Sequence, residues 1–290
     1  MVLEQLFHLH WIEKHENAFL LGLIFTFVGY LSAKLIFGAS IDLMSIAFVS
    51  LLLLPSLNKL LSMEELAEIR EKKFSFIQLC KDHKDLLKVY TFLFLGIFMG
   101  FAFIGLFTPQ DAMFREFSTQ FTTAGIQPGY QYNPDINKWE TFALQDFDPT
   151  KERFQQSFKR IVGNNLIVFI ACILLSIAYG AGAILFLTWN ASVWGIVFVY
   201  FVKVASVSVG QNPFIYFWVL FIPFLPHMIL EGISYILAAI AGGVVSKALI
   251  KEKLFTPQFN HVITDALIIM IIGLLVVILA GYIEVGMYLA

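Results

Sequence analysis

The chain has 290 residues, of which 59% are hydrophobic and 14% are charged, with a mean hydropathy of +0.79. Ordinary soluble domains contain about 45–50% apolar and about 25% charged residues, so this composition excludes a soluble globular protein as well as a disordered chain. The net charge is −2 and no basic cluster is interleaved with aromatic residues, which excludes a nucleic-acid partner. We therefore expect an integral membrane protein in contact with a lipid bilayer.

The N-terminal segment carries Glu4, Glu13 and Glu16 and has no small-residue cleavage site. A removable signal peptide begins with a basic segment and ends at small residues. We therefore expect the first spanning helix to direct membrane insertion itself.

Each helical crossing of a bilayer needs about 20 apolar residues, because the backbone has to satisfy its own hydrogen bonds there. Ala18–Phe37, Leu43–Leu57 and Val89–Phe107 are predicted to be spans one to three. Gly96 and Gly100 form a small-xxx-small pair, a spacing that lets two helix backbones approach closely in lipid. The pair fits a contact within the chain as well as a dimer, so an oligomer stays possible.

The uncharged stretch Ile161–Val202 is long enough for two crossings, which are predicted to be spans four and five. We place the turn between them at Thr188–Ser192. Asn190 is then expected to be a polar residue of that turn.

Prolines interrupt the next apolar stretch, and a proline inside a helix removes a hydrogen bond and kinks the chain. We predict that Phe214–Leu225 is a half-length or re-entrant segment. Pro226 suits the first turn of span six, and Ala266–Ile283 forms span seven. The predicted fold is an all-α transmembrane bundle of about seven spans with one proline-broken segment.

The distribution of lysine and arginine predicts the orientation, because these residues are enriched in cytoplasmic loops. With the N-terminus in the cytoplasm, Asn58–Lys88 and Lys247–Asn260 lie inside and are richer in basic residues than the outer segment Thr108–Arg160. We therefore expect a multi-pass protein of the cytoplasmic membrane.

Three regions follow from this topology: an N-terminal membrane region at 1–107, an extracytoplasmic cap or loop at 108–160, and a C-terminal membrane region at 161–290. The outer segment starts a helix near Pro109 and then carries Phe114, Phe117 and Phe121 at helical spacing. A small ordered cap explains this pattern best, and an irregular interfacial loop is the alternative.

Ionisable side chains at membrane depth are costly and usually face a partner or a cavity. Four are predicted within or at the ends of spans, namely Lys203, His227, Glu231 and Asp265. His227 and Glu231 lie four residues apart, so they share one face of a helix. This pair is the strongest local signal for a site.

Three interpretations of the pair stay open. In a structural role, Glu231 accepts from His227 or pairs with Lys203 and fixes how spans five and six pack. In a transporter, Glu231 at a broken helix accepts a proton or ion with Lys203 as its counter-charge. In a hydrolase, the pair supplies two zinc ligands, whereas zinc sites have at least three protein ligands; we therefore predict no metal and no catalytic residue.

The remaining polar candidates have simpler explanations. Asn164 and Asn165 lie at the entry to span four, and Asp265 lies near the start of span seven. We expect them, with Asn190, to be caps, or to line the same cavity if the bundle turns them inward. No nucleotide-binding or other cofactor motif is present, and no cofactor is expected.

From about Phe158 to Leu249 the sequence resembles the stage II sporulation protein M family of polytopic membrane proteins. The matching pieces are FKRIVGNN (Phe158–Asn165), SIAYGAGAILF (Ser176–Phe186), Asn190, LPHMILEG (Leu225–Gly232) and AAIAGGVVSKAL (Ala238–Leu249). The Pro-His-x-x-x-Glu element is the most specific of them.

The resemblance implies a cytoplasmic-membrane protein without an assigned catalytic activity of its own. Sporulation members of the family act with a second membrane protein and a cell-wall hydrolase to move a membrane during engulfment. We therefore expect a non-enzymatic scaffold or complex subunit in membrane or envelope remodelling, with a membrane or envelope protein as partner. A transporter or permease-like protein is the alternative.

Overall fold

The computed structural model describes residues 15–38, 40–70, 84–124 and 151–289 of the chain. Within these ranges the fold is all helical and contains no strand, which confirms the predicted class. The helices are α1 (His15–Ile36), α2 (Ile41–Arg70), α3 (Lys84–Phe107), α4 (Gln110–Glu116), α5 (Ser118–Thr123), α6 (Lys151–Tyr179), α7 (Ile184–Ser208), α8 (Pro213–Lys251) and α9 (Pro257–Leu289).

Seven of these helices are long and apolar enough to cross a membrane, as predicted. The candidate spans in the described ranges are Glu16–Ile36, Ile41–Leu61, Lys84–Phe107, Phe158–Tyr179, Ala181–Ser208, Pro213–Lys251 and Pro257–Gly286.

The glycine pair of α3, Gly96 and Gly100, forms a packing contact with α1 of the same chain. A Cβ on Gly96 would overlap the carbonyl oxygen of Phe19, and one on Gly100 would lie 2.7 Å from Cβ of Thr26. The facing residue Gly22 is equally close to the backbone of α3. The two helices therefore pack backbone against backbone, the contact that this spacing allows.

The turn between spans four and five lies at Gly180 and not at Thr188–Ser192. Gly180 has φ +65°, a conformation that only glycine adopts without steric cost, and a short 3-10 turn, Ala181–Ala183, leads into α7. The backbone N–H of Ala181 donates to Oδ1 of Asn58 at 3.0 Å and so ties this turn to α2. The predicted turn was wrong because its residues are compatible with a helix, whereas Gly180 permits the required backbone reversal.

The separate segment predicted at Phe214–Leu225 is the beginning of α8, which runs without a break through Pro223 and Pro226 for 39 residues. The helix starts at Pro213, and Oδ1 of Asn212 accepts from the backbone N–H of Phe214 at 2.8 Å. Packing of its first turns on other spans offsets the hydrogen bonds that the prolines remove. This stretch therefore adds no extra crossing.

The first turns of α8 rest on aromatic rings of α3 and α7. The ring of Phe217 lies 5.2 Å from that of Phe198, and the ring of Phe221 lies 5.7 Å from that of Phe98. Ring pairs at these distances contribute about 0.5–1.5 kcal/mol beyond the area that they bury.

The two short helices α4 and α5 lie on the end of the bundle where α3 finishes. Phe117 and Phe121 are buried, as the phenylalanine spacing predicts, and the rings of Phe114 and Phe121 stack at 4.3 Å. Residues 125–150 of the predicted cap lie outside the described residues, so the division of the chain into three regions stays a prediction.

Candidate functional site

A stripe of three polar side chains lies on one face of α8, in the middle of the helix. His227, Glu231 and Tyr235 are four residues apart, and their exposed fractions are 6%, 5% and 0%. Because side chains at i, i+4 and i+8 share a helix face, the continuous helix brings these three groups together.

The Glu231 carboxyl has a different neighbour on each oxygen. The hydroxyl of Tyr235 donates to Oε1 at 2.7 Å, whereas Oε2 lies 3.4 Å from Nε2 of His227. The tyrosine therefore fixes the plane of the carboxylate, and the second oxygen faces the imidazole.

A second carboxylate reaches the same imidazole from α9. Oε2 of Glu284 lies 3.8 Å from Nε2 of His227, and one ligand atom each of His227, Glu231 and Glu284 can be chosen so that all three lie within 4.8 Å of one another. The sequence prediction missed Glu284 because span seven was ended at Ile283. The apolar residues that follow Glu284 were the available signal, since α9 continues to Leu289.

Asn165 of α6 completes the cluster. It is only 4% exposed and its amide lies beside the Glu231 carboxyl. Within the part of the chain that the structure describes, Nδ2 of Asn165 makes no hydrogen bond within normal limits, and the imidazole of His227 also interacts with the backbone of Ala280 in α9. Asn165 is thus an inward-facing residue of the bundle, which is the second of the two roles expected for it, and not a helix cap.

Aromatic rings cover the imidazole on the side of α7. The ring of Trp194 lies 6.1 Å from that of His227, and the ring of Phe224 lies 5.7 Å from it. Gly232 brings α8 close to the ring of Phe94 in α3. The cluster therefore lies in an apolar setting, in which interactions between charges are stronger than in water.

The other predicted candidates lie elsewhere. Lys203 donates to the carbonyl oxygen of Thr108 at 2.5 Å, at the end of α3, and forms no ion pair with Glu231 in the described structure. The expected counter-charge role of Lys203 was therefore wrong, because α7 runs further along the bundle than a turn at Thr188–Ser192 allowed. Asn164 is exposed.

Asn190 and Asp265 are helix-interior residues and neither is a cap. Nδ2 of Asn190 donates to the carbonyl oxygen of Phe186 at 2.8 Å, within α7. Asp265 is buried in the third turn of α9, and its Oδ2 lies 3.5 Å from Nε2 of His261. The prediction for Asn190 failed because the turn lies at Gly180, and the prediction for Asp265 failed because α9 begins at Pro257, before the apolar stretch.

A second polar network fastens α4 to α1. Nζ of Lys34 lies 2.9 Å from Oε1 of Glu116, and the hydroxyl of Tyr30 donates to Oε2 of the same carboxylate. These residues line a shallow open pocket with Thr108 and Phe107. Since Lys34 is half exposed, the network is best explained as an attachment of the outer helices.

Comparison with known proteins gives one family. The family described as stage II sporulation protein M matches residues 18–287, which is nearly the whole chain. The match includes the stretch 158–249, where the resemblance was seen from the sequence, and extends it over the N-terminal spans. No curated protein and no solved structure matches the chain.

Proposed function

Because the chain belongs to the stage II sporulation protein M family, we propose that it is a non-enzymatic scaffold or complex subunit in membrane or envelope remodelling. The observation that carries the proposal is the attachment of α4 and α5 to the bundle. It supports a fixed surface outside the spans, where a partner protein can dock without first ordering a loop.

The attachment of α5 uses a buried carboxylate of α2. Oδ2 of Asp42 accepts from the backbone N–H of Thr119 at 2.9 Å and from Oγ of Ser118 at 3.3 Å. Nε2 of Gln120 donates to Oγ of Ser192 in α7 at 3.3 Å. Two different spans therefore hold this short helix in place.

The opposite face of α5 is available to a partner. Thr122 and Thr123 are exposed, and their hydroxyls bond only to carbonyl oxygens of their own helix among the bonds described here. A partner that covers this face leaves the bonds to Asp42 and Ser192 intact.

The experiment is affinity capture of the full-length protein from its native membrane in mild detergent, with cross-linking and mass spectrometry of bound proteins. A double variant, Thr122→Arg with Thr123→Arg, is expected to lose a specific partner because two large cations then cover the docking face. Glu231→Gln is expected to keep that partner, since Glu231 is buried in the bundle.

The matched control is Gln211→Arg, an exposed change in the turn between α7 and α8. If the same partner is lost from the control as well, general surface charge is responsible. If every sample, including wild type, lacks a specific partner, the scaffold proposal is wrong.

We further propose that the protein lies in the cytoplasmic membrane with its N-terminus in the cytoplasm. The seven spans and the lysine-rich inner segments support this orientation. α4 and α5 then face the outside, where envelope partners are found.

Ion or proton transport is the second candidate function. The observation that favours it is the cluster of His227, Glu231 and Glu284 between the spans α8 and α9, since intramembrane ionisable groups often mark ion pathways. Lys203 takes no part in this version of the site, because it bonds to Thr108.

A further inference from the structure

We propose that His227, Glu231 and Glu284 bind one divalent transition-metal cation of the zinc or manganese type, held between α8 and α9 and contacted from α6. The proposal goes beyond the scaffold role and does not depend on it. It follows from four features of the cluster, namely geometry, charge, an unsatisfied amide and the outer contacts of the ligands.

The geometry needs little adjustment. Two ligands at tetrahedral positions around zinc, with bonds of about 2.1 Å, lie about 3.4 Å apart. Nε2 of His227 lies 3.4 Å from Oε2 of Glu231 and 3.8 Å from Oε2 of Glu284. The ligand oxygens of Glu231 and Glu284 lie within 4.8 Å of one another, so side-chain rotations that draw the two carboxylates together bring all three atoms to bonding distance from one ion.

The charges also match a divalent ion. Glu231 and Glu284 contribute two carboxylates, and a neutral imidazole from His227 adds no charge, so an M²⁺ ion makes the set electrically neutral. Buried charges are costly unless they are paired or coordinate a metal. One imidazole with oxygen ligands suits zinc, iron or manganese better than magnesium, which prefers water and oxygen ligands.

Asn165 supplies an independent indication of a ligand. Its side chain is 96% buried, as its 4% exposure shows, and lies beside the Glu231 carboxylate, but its Nδ2 atom makes no hydrogen bond within normal limits among the described residues. The oxygen and nitrogen of an asparagine amide are exchanged by a simple flip of the side chain. With the amide oxygen turned towards the cluster, Asn165 becomes a fourth ligand.

The surroundings hold the ligands as metal sites usually do. Tyr235 donates to Oε1 of Glu231, which leaves Oε2 directed at the cluster, and such outer contacts orient metal ligands. Rings of Trp194 and Phe224 pack beside His227 and exclude water on that side. A closed set of four protein ligands is typical of a structural metal site.

The test uses full-length protein in detergent, stripped with a chelator, incubated with ZnCl₂ or MnCl₂ and desalted before metal analysis. Wild type is expected to retain about one ion per chain, because it keeps all the protein ligands of the site. Glu284→Gln and His227→Gln are expected to retain almost none, because each removes a ligand atom. The metal is also expected to raise the melting temperature of wild type and not of the two variants.

The matched control is His261→Gln. His261 and Asp265 repeat the four-residue spacing of His227 and Glu231, but in the described ranges only the His227 cluster has three possible ligands. This variant is expected to bind like wild type. The proposal would be overturned if His261→Gln lost the metal as the two ligand variants do, or if Glu284→Gln bound as much metal as wild type. It would also be overturned if wild type bound no metal from either salt.

A second measurement avoids variants that could fail to fold. Co²⁺ added to stripped wild type is expected to give visible absorption bands and to quench the fluorescence of Trp194, whose ring is 6.1 Å from that of His227. Most of the quenching is expected to disappear in Trp194→Phe while the absorption persists. Co²⁺ that produces neither signal contradicts the site.

Discussion

The two oxygens of one buried carboxylate, that of Glu231, have different tasks at the site. Oε1 accepts from the hydroxyl of Tyr235 at 2.7 Å, and Oε2 faces His227. A carboxylate held on one side can present only its other side, so Tyr235 acts as a positioning residue.

Removing that single hydroxyl is therefore informative. Tyr235→Phe is expected to weaken binding of Zn²⁺ or Mn²⁺ by about 10–100-fold, the usual effect of losing an outer contact of a metal ligand. The measurement is a competition titration against a chelator of known affinity. Tyr200→Phe is the control, because the Tyr200 ring packs on Phe114 and Phe121 beside the short outer helices. Equal affinity in wild type and Tyr235→Phe would deny Tyr235 its positioning role.

Half of the site could be predicted from the sequence. His227 and Glu231 share a helix face through their spacing alone, and the same rule reaches Tyr235. Glu284 and Asn165 join through tertiary contacts between helices that are far apart in the chain, which periodicity does not encode. Lys203 was wrongly included in the predicted site, because the turn predicted at Thr188–Ser192 placed it too close to Glu231.

The number of helices follows from hydropathy, whereas the positions of their turns and breaks depend on backbone conformation. Hydropathy predicted seven spans, and seven are found among the described helices. It could not place the turn at Gly180, since glycine conformation and not polarity decides that position. It also treated Pro223 and Pro226 as a break, whereas neighbouring helices support α8 through both prolines.

The close packing of helices α1 and α3 can be tested by mutation. Gly96→Ala is expected to lower the free energy of unfolding by about 1–3 kcal/mol, since the added Cβ meets the backbone of Phe19 and the helices have to separate. Gly163→Ala in α6 is the matched control, because its added Cβ meets no atom within 4 Å. Denaturation of both variants in detergent measures the difference. Equal stability of the two would mean that this close contact is absent in the protein.

The molecule as a whole has two ends that the contacts define. Asn58 and Gly180 meet at one end, through the bond from Ala181 to Asn58. Thr108, Lys203 and Phe214 lie at the other, where Lys203 reaches Thr108 and the Phe214 ring lies 5.5 Å from that of Phe107. Because α8 crosses once, successive spans alternate in direction and both ends stay consistent with the proposed orientation.

Thiol labelling tests that orientation. In a background with Cys80→Ser and Cys172→Ala, Gln211→Cys is expected to react with a membrane-impermeant maleimide in intact cells, because its turn faces outside. Lys253→Cys, exposed in the turn after α8, is expected to react only after the cells are opened. The reverse pattern would place the N-terminus outside and move α4 and α5 to the cytoplasm.

The length of α8 has a consequence for the surrounding lipid. Its exposed apolar residues Ile215 and Ile250 are separated by about 50 Å along a straight helix, at about 1.5 Å per residue. The hydrocarbon layer is about 30 Å thick, and tilts of spanning helices stay within about 40°. A uniform flat bilayer therefore cannot cover both residues, and α8 imposes a hydrophobic mismatch that thickens the adjoining lipid or leaves one apolar end in the headgroup region. Mismatch of this kind adds elastic energy to the membrane and is reduced when proteins cluster and share the deformed lipid.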